Sequence, residues 1–212
     1  MKAWTRRLTS TLIDWGYMAM TLGPAKRPAS NLYRRLLNFY YRKQAERYDQ
    51  KVIAAAGELY GQAFDAGLKK IVVRPQRILD VNTGTGYVAL RLKRTFPDAD
   101  VVGTDVSTQM LDQAREKARQ ENLAVAFFEA DGAQLPFPEN EFDLVALQNA
   151  PLYIEEIVRV LRPGGWLLIA YTSGALVPKF WRVRLQRELE RVGVQRVETE
   201  RYGDGLCILV TK

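Results

Sequence analysis

Residues 77–90 read RILDVNTGTGYVAL, in which a short apolar strand pattern runs directly into a glycine-containing loop. The apolar run covers 78–81, and the loop that follows, residues 82–86, is NTGTG. Glycines at such a place let backbone N–H groups and a helix N-terminus approach a ligand closely. Because ligands of open parallel sheets bind at the carboxyl ends of the strands, this stretch predicts a ligand site as well as a strand.

The alternation of strand and helix patterns continues beyond this stretch. Further apolar runs occupy 101–103, 125–128, 144–147 and 167–170, with helix-like segments between them. Short apolar strands separated by helices are typical of a parallel sheet that is covered on both faces. The central part of the chain is therefore predicted to be an α/β sheet with helices on each side.

The C-terminal part predicts a different kind of strand pairing. A helix at about 178–192 ends at Gly193, and strand patterns follow at 194–201 and 206–211. The Tyr-Gly-Asp-Gly link between them is much shorter than a parallel crossover, which needs a dozen residues or more, so the pair is predicted to be antiparallel. Cys207 lies in the apolar run LCILV and is predicted to be buried in the second of these strands.

Carboxylates recur at the ends of the predicted strands. Asp80 lies at the end of the first strand, Asp105 follows the second after 25 positions, and Asp131 comes 26 positions later. In nucleotide-binding sheets an acidic residue about 20 positions beyond the glycine loop bonds the ribose hydroxyls. Asp105 stands 19 positions after Gly86, so the spacing predicts an adenosyl-type ligand held across one open sheet.

Two classes of ligand fit this arrangement. The loop also satisfies the dinucleotide pattern G-x-G-x-x-A through Gly84, Gly86 and Ala89, so a nucleotide-dependent oxidoreductase is a rival interpretation. The carboxylate of Asp80 would oppose a pyrophosphate but favour a cationic ammonium or sulfonium group. The sequence therefore favours an adenosyl ligand with an amino-acid tail and no phosphate.

The composition limits the chemistry that the chain can perform. Its 212 residues suit one domain with a modest appendage. The chain has no histidine and a single cysteine, so a Cys/His metal cluster and an internal disulfide are excluded. We therefore predict no metal site, and a reducing, cytoplasmic setting.

Residues 1–50 differ from the rest of the chain in charge and aromatic content. They hold 10 Lys/Arg and 3 Asp/Glu, a net charge of +7, whereas residues 51–212 balance at 21 and 21. They also hold 8 of the 22 aromatic residues. Helical periodicity predicts two helices here, separated by GPAKRPAS, and a third from about 50 to 68. We therefore divide the chain into an N-terminal helical segment, 1–50, and a main domain, 51–212.

Three interpretations of this N-terminal segment stay open. Basic residues interleaved with Trp and Tyr suit peripheral contact with an anionic membrane, although no stretch is apolar enough for a transmembrane helix. The same charge would suit nucleic acid, which we favour less. The helices would also serve as a cap that folds over the sheet, because amphipathic helices usually face a core.

Residues 45–171 resemble the class I S-adenosylmethionine-dependent methyltransferases, and look closest to the branch of the ubiquinone/menaquinone C-methyltransferases. The most specific parts of the resemblance are LPFPENEFDLV at 135–145 and RVLRPGGWLLI at 159–169. The resemblance implies an α/β fold: a doubly wound, Rossmann-like, seven-stranded sheet with an antiparallel last strand, plus the N-terminal helices. It also implies S-adenosylmethionine as the cofactor.

The resemblance places one group of residues near the methionyl and ribose parts of this cofactor. Asp80 and the loop 82–86 would hold the methionyl part, and Asp105 the ribose hydroxyls. Gln148 and Asn149, which follow the fourth strand, would face the sulfonium. The loop residues implied in binding are Asn82, Thr83, Gly84 and Gly86.

A second group would surround the adenine ring. By the same resemblance, Asp131 would bind the adenine amino group, and Gly132 would offer its N–H to the ring. Val106 and Met110 would pack on the purine, and Tyr48 would lie over the cofactor from a preceding helix. Ordinary alternatives stay open, since Asp favours loops and helix caps in general, and Tyr48 also suits simple packing.

The chain departs from the family pattern at two places. Asn82 stands where the family usually has glycine, and Asn tolerates left-handed backbone geometry better than most residues. Only twelve residues separate Asn149 from Arg162, where relatives generally carry a longer helix with loop residues that shape the acceptor pocket. We therefore expect an acceptor side that is shortened, or rebuilt from the N-terminal helices.

These patterns predict an S-adenosylmethionine-dependent methyltransferase that acts on a small, hydrophobic, quinone- or phenol-like acceptor by in-line transfer. Because a sulfonium is already activated, alignment and exclusion of water are the main requirements. No catalytic base is assigned among Tyr48, Tyr153, Glu155 and Tyr171. The alternatives are a non-catalytic cofactor-binding protein docked through its basic helices, and an RNA methyltransferase.

Overall fold

The computed structural model describes residues 45, 47–172 and 179–212, and the predicted helices of residues 1–44 lie outside this part. A seven-stranded sheet forms its centre. The strands are β1 (Arg77–Val81), β2 (Asp100–Asp105), β3 (Val125–Glu129), β4 (Phe142–Gln148), β5 (Leu161–Tyr171), β6 (Arg196–Tyr202) and β7 (Gly205–Thr211).

The pairing of these strands confirms the predicted topology. Their order across the sheet is β3-β2-β1-β4-β5-β7-β6. Strands β1 to β5 pair in parallel, and β7 runs antiparallel between β5 and β6. The strand order reverses between β1 and β4, which places the candidate ligand site at the carboxyl ends of these central strands.

Helices cover both faces of the sheet, as the apolar strand patterns predicted. They are α1 (Gln62–Leu68), α2 (Tyr87–Thr95), α3 (Thr108–Gln120), α4 (Ile154–Val160) and α5 (Lys179–Arg191). Leu79 and Val81 of β1 face a core built with α4 and α5, whereas Ile78 faces a second core built with α1, α2 and α3. None of the described helices combines the length and the apolarity needed to cross a membrane.

The expected continuous helix from 50 to 68 is wrong. The chain instead forms a π-helical turn (Asp49–Ile53), one α-helical turn (Ala54–Ala56) and a 3-10 turn (Gly57–Tyr60) before α1 begins. Gly57 has φ 57°, a value that side-chain-bearing residues rarely adopt, so the helix cannot continue through it. We call residues 48–60 the cover segment, because this stretch lies against the carboxyl edge of the sheet.

The C-terminal elements follow the sequence patterns closely. Helix α5 ends at Arg191, Gly193 with φ 86° lies in the turn after it, and the two strands that follow form the antiparallel hairpin. Cys207 lies in β7 and is 3% exposed. Burial raises the pKa of its thiol to about 12.

Candidate functional site

A cleft opens at the carboxyl ends of β1, β2 and β4, and its walls include most of the residues singled out by sequence. The cover segment closes one side of it. The predicted residues that line this cleft are Tyr48, Asp80, Asn82, Thr83, Gly84, Asp105, Val106, Met110, Asp131, Gln148 and Asn149. Gly86 and Gly132 are not among its lining residues.

The loop after β1 is held in a tight turn by backbone hydrogen bonds. Thr83 N donates to Thr104 O at 2.7 Å, and Gly86 N donates to Thr83 O at 2.9 Å. Asn82 adopts φ 55°, so it takes the left-handed conformation that a glycine would take there. Its side-chain amide donates to Pro151 O at 3.5 Å, which ties the loop to the chain after β4.

The two glycines of this loop have different surroundings. A Cβ atom added to Gly84 would meet nothing within 4 Å, so the loop backbone is open to the cleft there. A Cβ on Gly86 would lie 2.9 Å from the Cβ of Ala114 in α3. Gly86 thus allows the loop to pack closely on α3, and its expected part in holding the methionyl end of a cofactor stays a prediction.

Asp80 places a buried carboxylate at the base of the loop. It is 1% exposed, and its Oδ2 accepts hydrogen bonds from Thr83 Oγ1 at 2.5 Å and Ala89 N at 3.0 Å. No described residue bonds to its Oδ1. Burial raises the pKa of Asp80 to about 7, because little surrounds the carboxylate to replace water. A cationic group in the cleft would therefore stabilise the ionised form.

Asp105 is oriented by backbone donors at the end of β2. Its Oδ2 accepts from Gly84 N and its Oδ1 from Ser107 N, each at 2.9 Å. Burial raises the pKa of Asp105, while these N–H groups favour its ionised form. Each carboxylate oxygen keeps a further lone pair, so the pair of oxygens can accept bonds from two neighbouring hydroxyls.

The wall beyond Asp105 is apolar at its centre and polar at its end. Val106 and the buried Met110 line it, and Asp131 accepts a hydrogen bond at Oδ1 from Ala133 N at 2.9 Å. Gly132 is packed behind this wall, since a Cβ there would lie 3.0 Å from the Tyr153 ring. Close packing under Tyr153 thus accounts for the glycine at this position, and the expected bond from Gly132 N–H to the adenine ring stays a prediction.

The opposite side of the cleft is built by residues after β4 and by the cover segment. Gln148 donates through Nε2 to Tyr60 O at 2.5 Å, and its buried Oε1 bonds to no described residue. Asn149 pairs with Thr172, donating to Oγ1 and accepting from N, each at 2.8 Å. These bonds hold the ends of β4 and β5 against the cover segment.

Tyr60 is a cleft residue that the sequence patterns missed. Burial raises the pKa of its hydroxyl well above the ordinary value, and the neighbouring Tyr48 side chain acts in the same direction, so Tyr60 stays neutral. Its ring meets that of Tyr87 edge to face, with centroids 4.9 Å apart. The signal that would have found it is the glycine at each end of GELYG, residues 57–61, which marks a break in the helix.

The four side chains considered as bases are now separated by position. Tyr48 and Tyr153 line the cleft, whereas Glu155 lies on an exposed face of α4. Tyr171 is fully buried in the core beneath the sheet and does not line the cleft. Of these four candidates, the arrangement therefore leaves the two tyrosines, Tyr48 and Tyr153, within reach of a bound molecule.

The chain is similar to known proteins in sequence and in architecture. A methyltransferase-domain family model matches residues 78–165. A demethylmenaquinone methyltransferase of Deinococcus radiodurans is 36% identical over 160 residues, which cover 70% of this chain and 66% of that protein. One of Thermus thermophilus is 42% identical over 136 residues, which cover 59% and 60%. A ubiquinone/menaquinone biosynthesis C-methyltransferase of Bdellovibrio bacteriovorus is 32% identical over 111 residues, which cover 49% and 47%.

The chain thus spans between about half and two thirds of the length of these curated relatives. Solved structures share the fold at lower identity. A SAM-dependent methyltransferase from Aquifex aeolicus superposes with a TM-score of 0.60 at 23% identity, over 82% of this chain and 96% of that one. The [4+2]-cyclase SpnF superposes at 0.57 and 22% identity, over 70% and 78%.

Proposed function

Because the chain belongs to the class I S-adenosylmethionine-dependent methyltransferases, in the branch of the ubiquinone/menaquinone C-methyltransferases, we propose that it transfers a methyl group from S-adenosylmethionine to a small quinone- or phenol-like acceptor. The observation that carries this proposal is the buried carboxylate of Asp80 and the half-buried carboxylate of Asp105, on either side of the open backbone at Gly84. A cationic amino-acid tail and a ribose are the groups that such a pair suits.

The described residues fit this cofactor along the length of the cleft. Asp80 would hold the ammonium group through its Oδ1, and Asp105 would accept bonds from the ribose hydroxyls. Val106 and Met110 would pack on the adenine ring, with Asp131 at its amino group. When bound, the cofactor supplies a methyl group on an already activated sulfonium, so alignment and exclusion of water remain the tasks of the protein.

The chain's own residues can perform those two tasks. Tyr48 and Tyr60 line the cleft from the cover segment, so their rings would help to exclude water from a bound ligand. The unpaired Oε1 of Gln148 is a buried acceptor that a ligand donor would satisfy, since such groups are normally bonded. Gln148 would therefore help to fix a ligand near the reacting atoms.

The chemistry of the walls supports an aromatic acceptor. Tyr48, Tyr60, Tyr87 and Tyr153 line the cleft together with Pro151. Aromatic and apolar surfaces of this kind favour a flat, poorly charged ring. Helix α4 has only seven residues, so within the described part of the chain the cover segment is the main element beside the acceptor side. The quinone acceptors in the names of the sequence relatives agree with this choice.

Calorimetric titration of the purified full chain with S-adenosylhomocysteine, with NADH as the control, tests the cofactor part of the proposal. We expect micromolar binding of the first compound alone. Binding of NADH alone would favour an oxidoreductase, and binding of neither would overturn the proposal. Asp80 argues against a pyrophosphate, because a buried carboxylate at the loop repels it.

Methyl transfer itself needs a separate assay. Radiolabelled S-adenosylmethionine is incubated with a prenylated naphthoquinol, simple phenols and total RNA, and the methylated product is extracted. Transfer to the quinol or a phenol is the expected result. Transfer to RNA alone would make the chain an RNA methyltransferase, and binding without transfer would make it a non-catalytic cofactor-binding protein.

We further propose a cytoplasmic protein that touches an anionic membrane through residues 1–50. The support is the net charge of +7 that these residues carry among aromatic side chains, which suits a surface of anionic lipids. An acceptor with a long apolar tail would be met at such a surface. Nucleic acid is the rival partner for the same charge.

A further inference from the structure

We propose that Asp49 is a positioning residue, which fixes the cover segment, and with it Tyr48, against the cofactor loop. The inference rests on the proposed function, because its effect falls on a ligand in the same cleft. It concerns the N-terminal end of the cover segment, where Tyr48 lines the cleft and Asp49 begins the π-helical turn.

Asp49 bridges three parts of the fold with its two carboxylate oxygens. Its Oδ1 accepts a hydrogen bond from Thr85 Oγ1 at 2.6 Å, and its Oδ2 lies 2.7 Å from the Nζ atom of Lys117. Thr85 belongs to the loop 82–86, and Lys117 to α3. One side chain therefore ties the cover segment to both the loop and the helix behind it.

The bond to Thr85 acts on the part of the loop that faces the cleft. Thr85 is 2% exposed and stands next to Gly84, whose N–H donates to the carboxylate of Asp105. The position of Asp49 is thus linked through two consecutive loop residues to the carboxylate that would hold the ribose. A fixed Asp49 side chain would therefore hold Tyr48 in place at the cleft. It would also hold the loop 82–86 in place beside Asp105.

The two ends of the cover segment are held with different strength. At the far end the Tyr60 carbonyl accepts bonds from Gln148 Nε2 and Thr172 Oγ1, and the Tyr60 side chain is buried. At the near end the Asp49 and Lys117 side chains are 43% and 25% exposed. Half-exposed ion pairs contribute little and are screened by salt, so the Asp49 end opens more easily. The residence time of a bound ligand is then set by this contact.

Matched variants of the full chain separate the two bonds. Asp49→Ala removes both, Lys117→Met removes the ion pair, and Thr85→Val removes the hydroxyl that Thr85→Ser retains. The control is Asp112→Ala, which breaks the ion pair between Asp112 and Arg115 in α3. This pair is exposed and does not line the cleft. The dissociation rate of S-adenosylhomocysteine is followed by stopped-flow fluorescence, and amide exchange at 50–56 is measured without ligand.

Asp49→Ala is expected to speed dissociation about tenfold, and Lys117→Met and Thr85→Val about threefold each, with Thr85→Ser close to wild type. Salt should speed dissociation in the wild type but not in Lys117→Met, and exchange at 50–56 should rise in Asp49→Ala without ligand. Asp112→Ala should change none of these. If the wild type binds S-adenosylhomocysteine and Asp49→Ala has the same dissociation rate and the same amide exchange, the inference is overturned. If the wild type does not bind S-adenosylhomocysteine, the proposed function is overturned instead.

Discussion

Asp80 sits at the end of β1 with its carboxylate buried and its pKa raised to about 7 by loss of water. In the ligand-free fold this group is therefore partly protonated near neutral pH, and the folded state holds a proton that the unfolded chain, with a pKa of 3.8, releases. The ligand-free fold should lose stability as the pH rises from 3.8 to about 7. A bound ammonium group would reverse this preference, because it stabilises the ionised carboxylate.

The first prediction is a pH dependence of ligand binding. Above pH 7 Asp80 is ionised, and the affinity for S-adenosylhomocysteine should be at its maximum. Below pH 7 the affinity should fall roughly tenfold for each pH unit, because Asp80 must first release its proton. Titration calorimetry at pH 5.5, 6.5 and 8.0 measures this. The chain has no histidine, so no imidazole titrates in this range. An unchanged affinity across the series, or a slope that survives in Asp80→Asn, would contradict the assignment.

The second prediction concerns Asp105 as the ribose ligand. Asp105→Ala should weaken S-adenosylhomocysteine binding by about 1.5–3 kcal/mol, because hydrogen bonds to a charged group are lost. Isothermal titration gives the dissociation constant, and Glu155→Ala, an exposed acidic residue of α4 outside the cleft, is the matched control. Equal affinity in the two variants would remove Asp105 from the site.

At the level of single residues, the spacing of the motifs predicted which parts of the chain meet at the cleft. It did not distinguish residues that line the cleft from residues that pack behind it. Asp80 and Asp105 lie at the carboxyl ends of β1 and β2, Asp131 follows β3, and parallel strands bring such positions to one edge. Gly86 and Gly132 share the same motifs, yet their surroundings are α3 and Tyr153. Contacts between distant elements decided this difference, and no local pattern carries them.

At the level of elements, the contact between the loop 82–86 and α3 depends on Gly86. The third prediction is that Gly86→Ala destabilises the fold by about 2–4 kcal/mol, because left-handed geometry and overpacking add together. Gly164→Ala is the control: Gly164 has φ 73°, but a Cβ there meets nothing within 4 Å. It should cost only about 1–2 kcal/mol. Urea unfolding measures both, and equal losses would show that packing on α3 contributes nothing.

Strands β1 to β5 and β7 were predictable because each carries a short apolar run, and the antiparallel hairpin of β6 and β7 followed from its four-residue link. The cover segment was not predictable, because the spacing of its apolar residues suits one continuous helix. In the structure its path follows the edge of the sheet instead. Gly57 permits the turn, and the contacts of Tyr60 with Gln148 and Thr172 hold it. Tertiary bonds overrode helical periodicity there. The contacts of Asp49 also place it with the sheet, so we propose that the main domain begins before residue 50.

At the level of the whole molecule, charge is distributed unequally along the chain. Residues 1–50 carry the entire excess of +7, and the remainder is balanced. An anionic surface would therefore attract residues 1–50 but exert little net attraction on residues 51–212. The attraction acts only within about a Debye length of the surface. A quinone-like acceptor in a bilayer would then be presented to a domain held nearby.

The fourth prediction tests this arrangement. Deleting residues 1–28 should abolish co-sedimentation with vesicles that contain anionic lipid, because it removes basic and aromatic residues together. Binding of S-adenosylhomocysteine should persist, since the deletion leaves the cover segment intact. Neutral vesicles and total RNA are the controls. Vesicle binding by the shortened chain would contradict the membrane proposal, and salt-sensitive RNA binding lost on deletion would favour nucleic acid.

The burial of Cys207 in β7 has a practical consequence for observing this protein. The chain contains one cysteine, and its thiol is shielded and held in the unreactive protonated form. A second cysteine introduced at Val52, which is 39% exposed on the cover segment, would be the sole thiol open to a maleimide dye. A fluorophore attached there would report opening and closing above the cleft in real time, without first removing any native side chain.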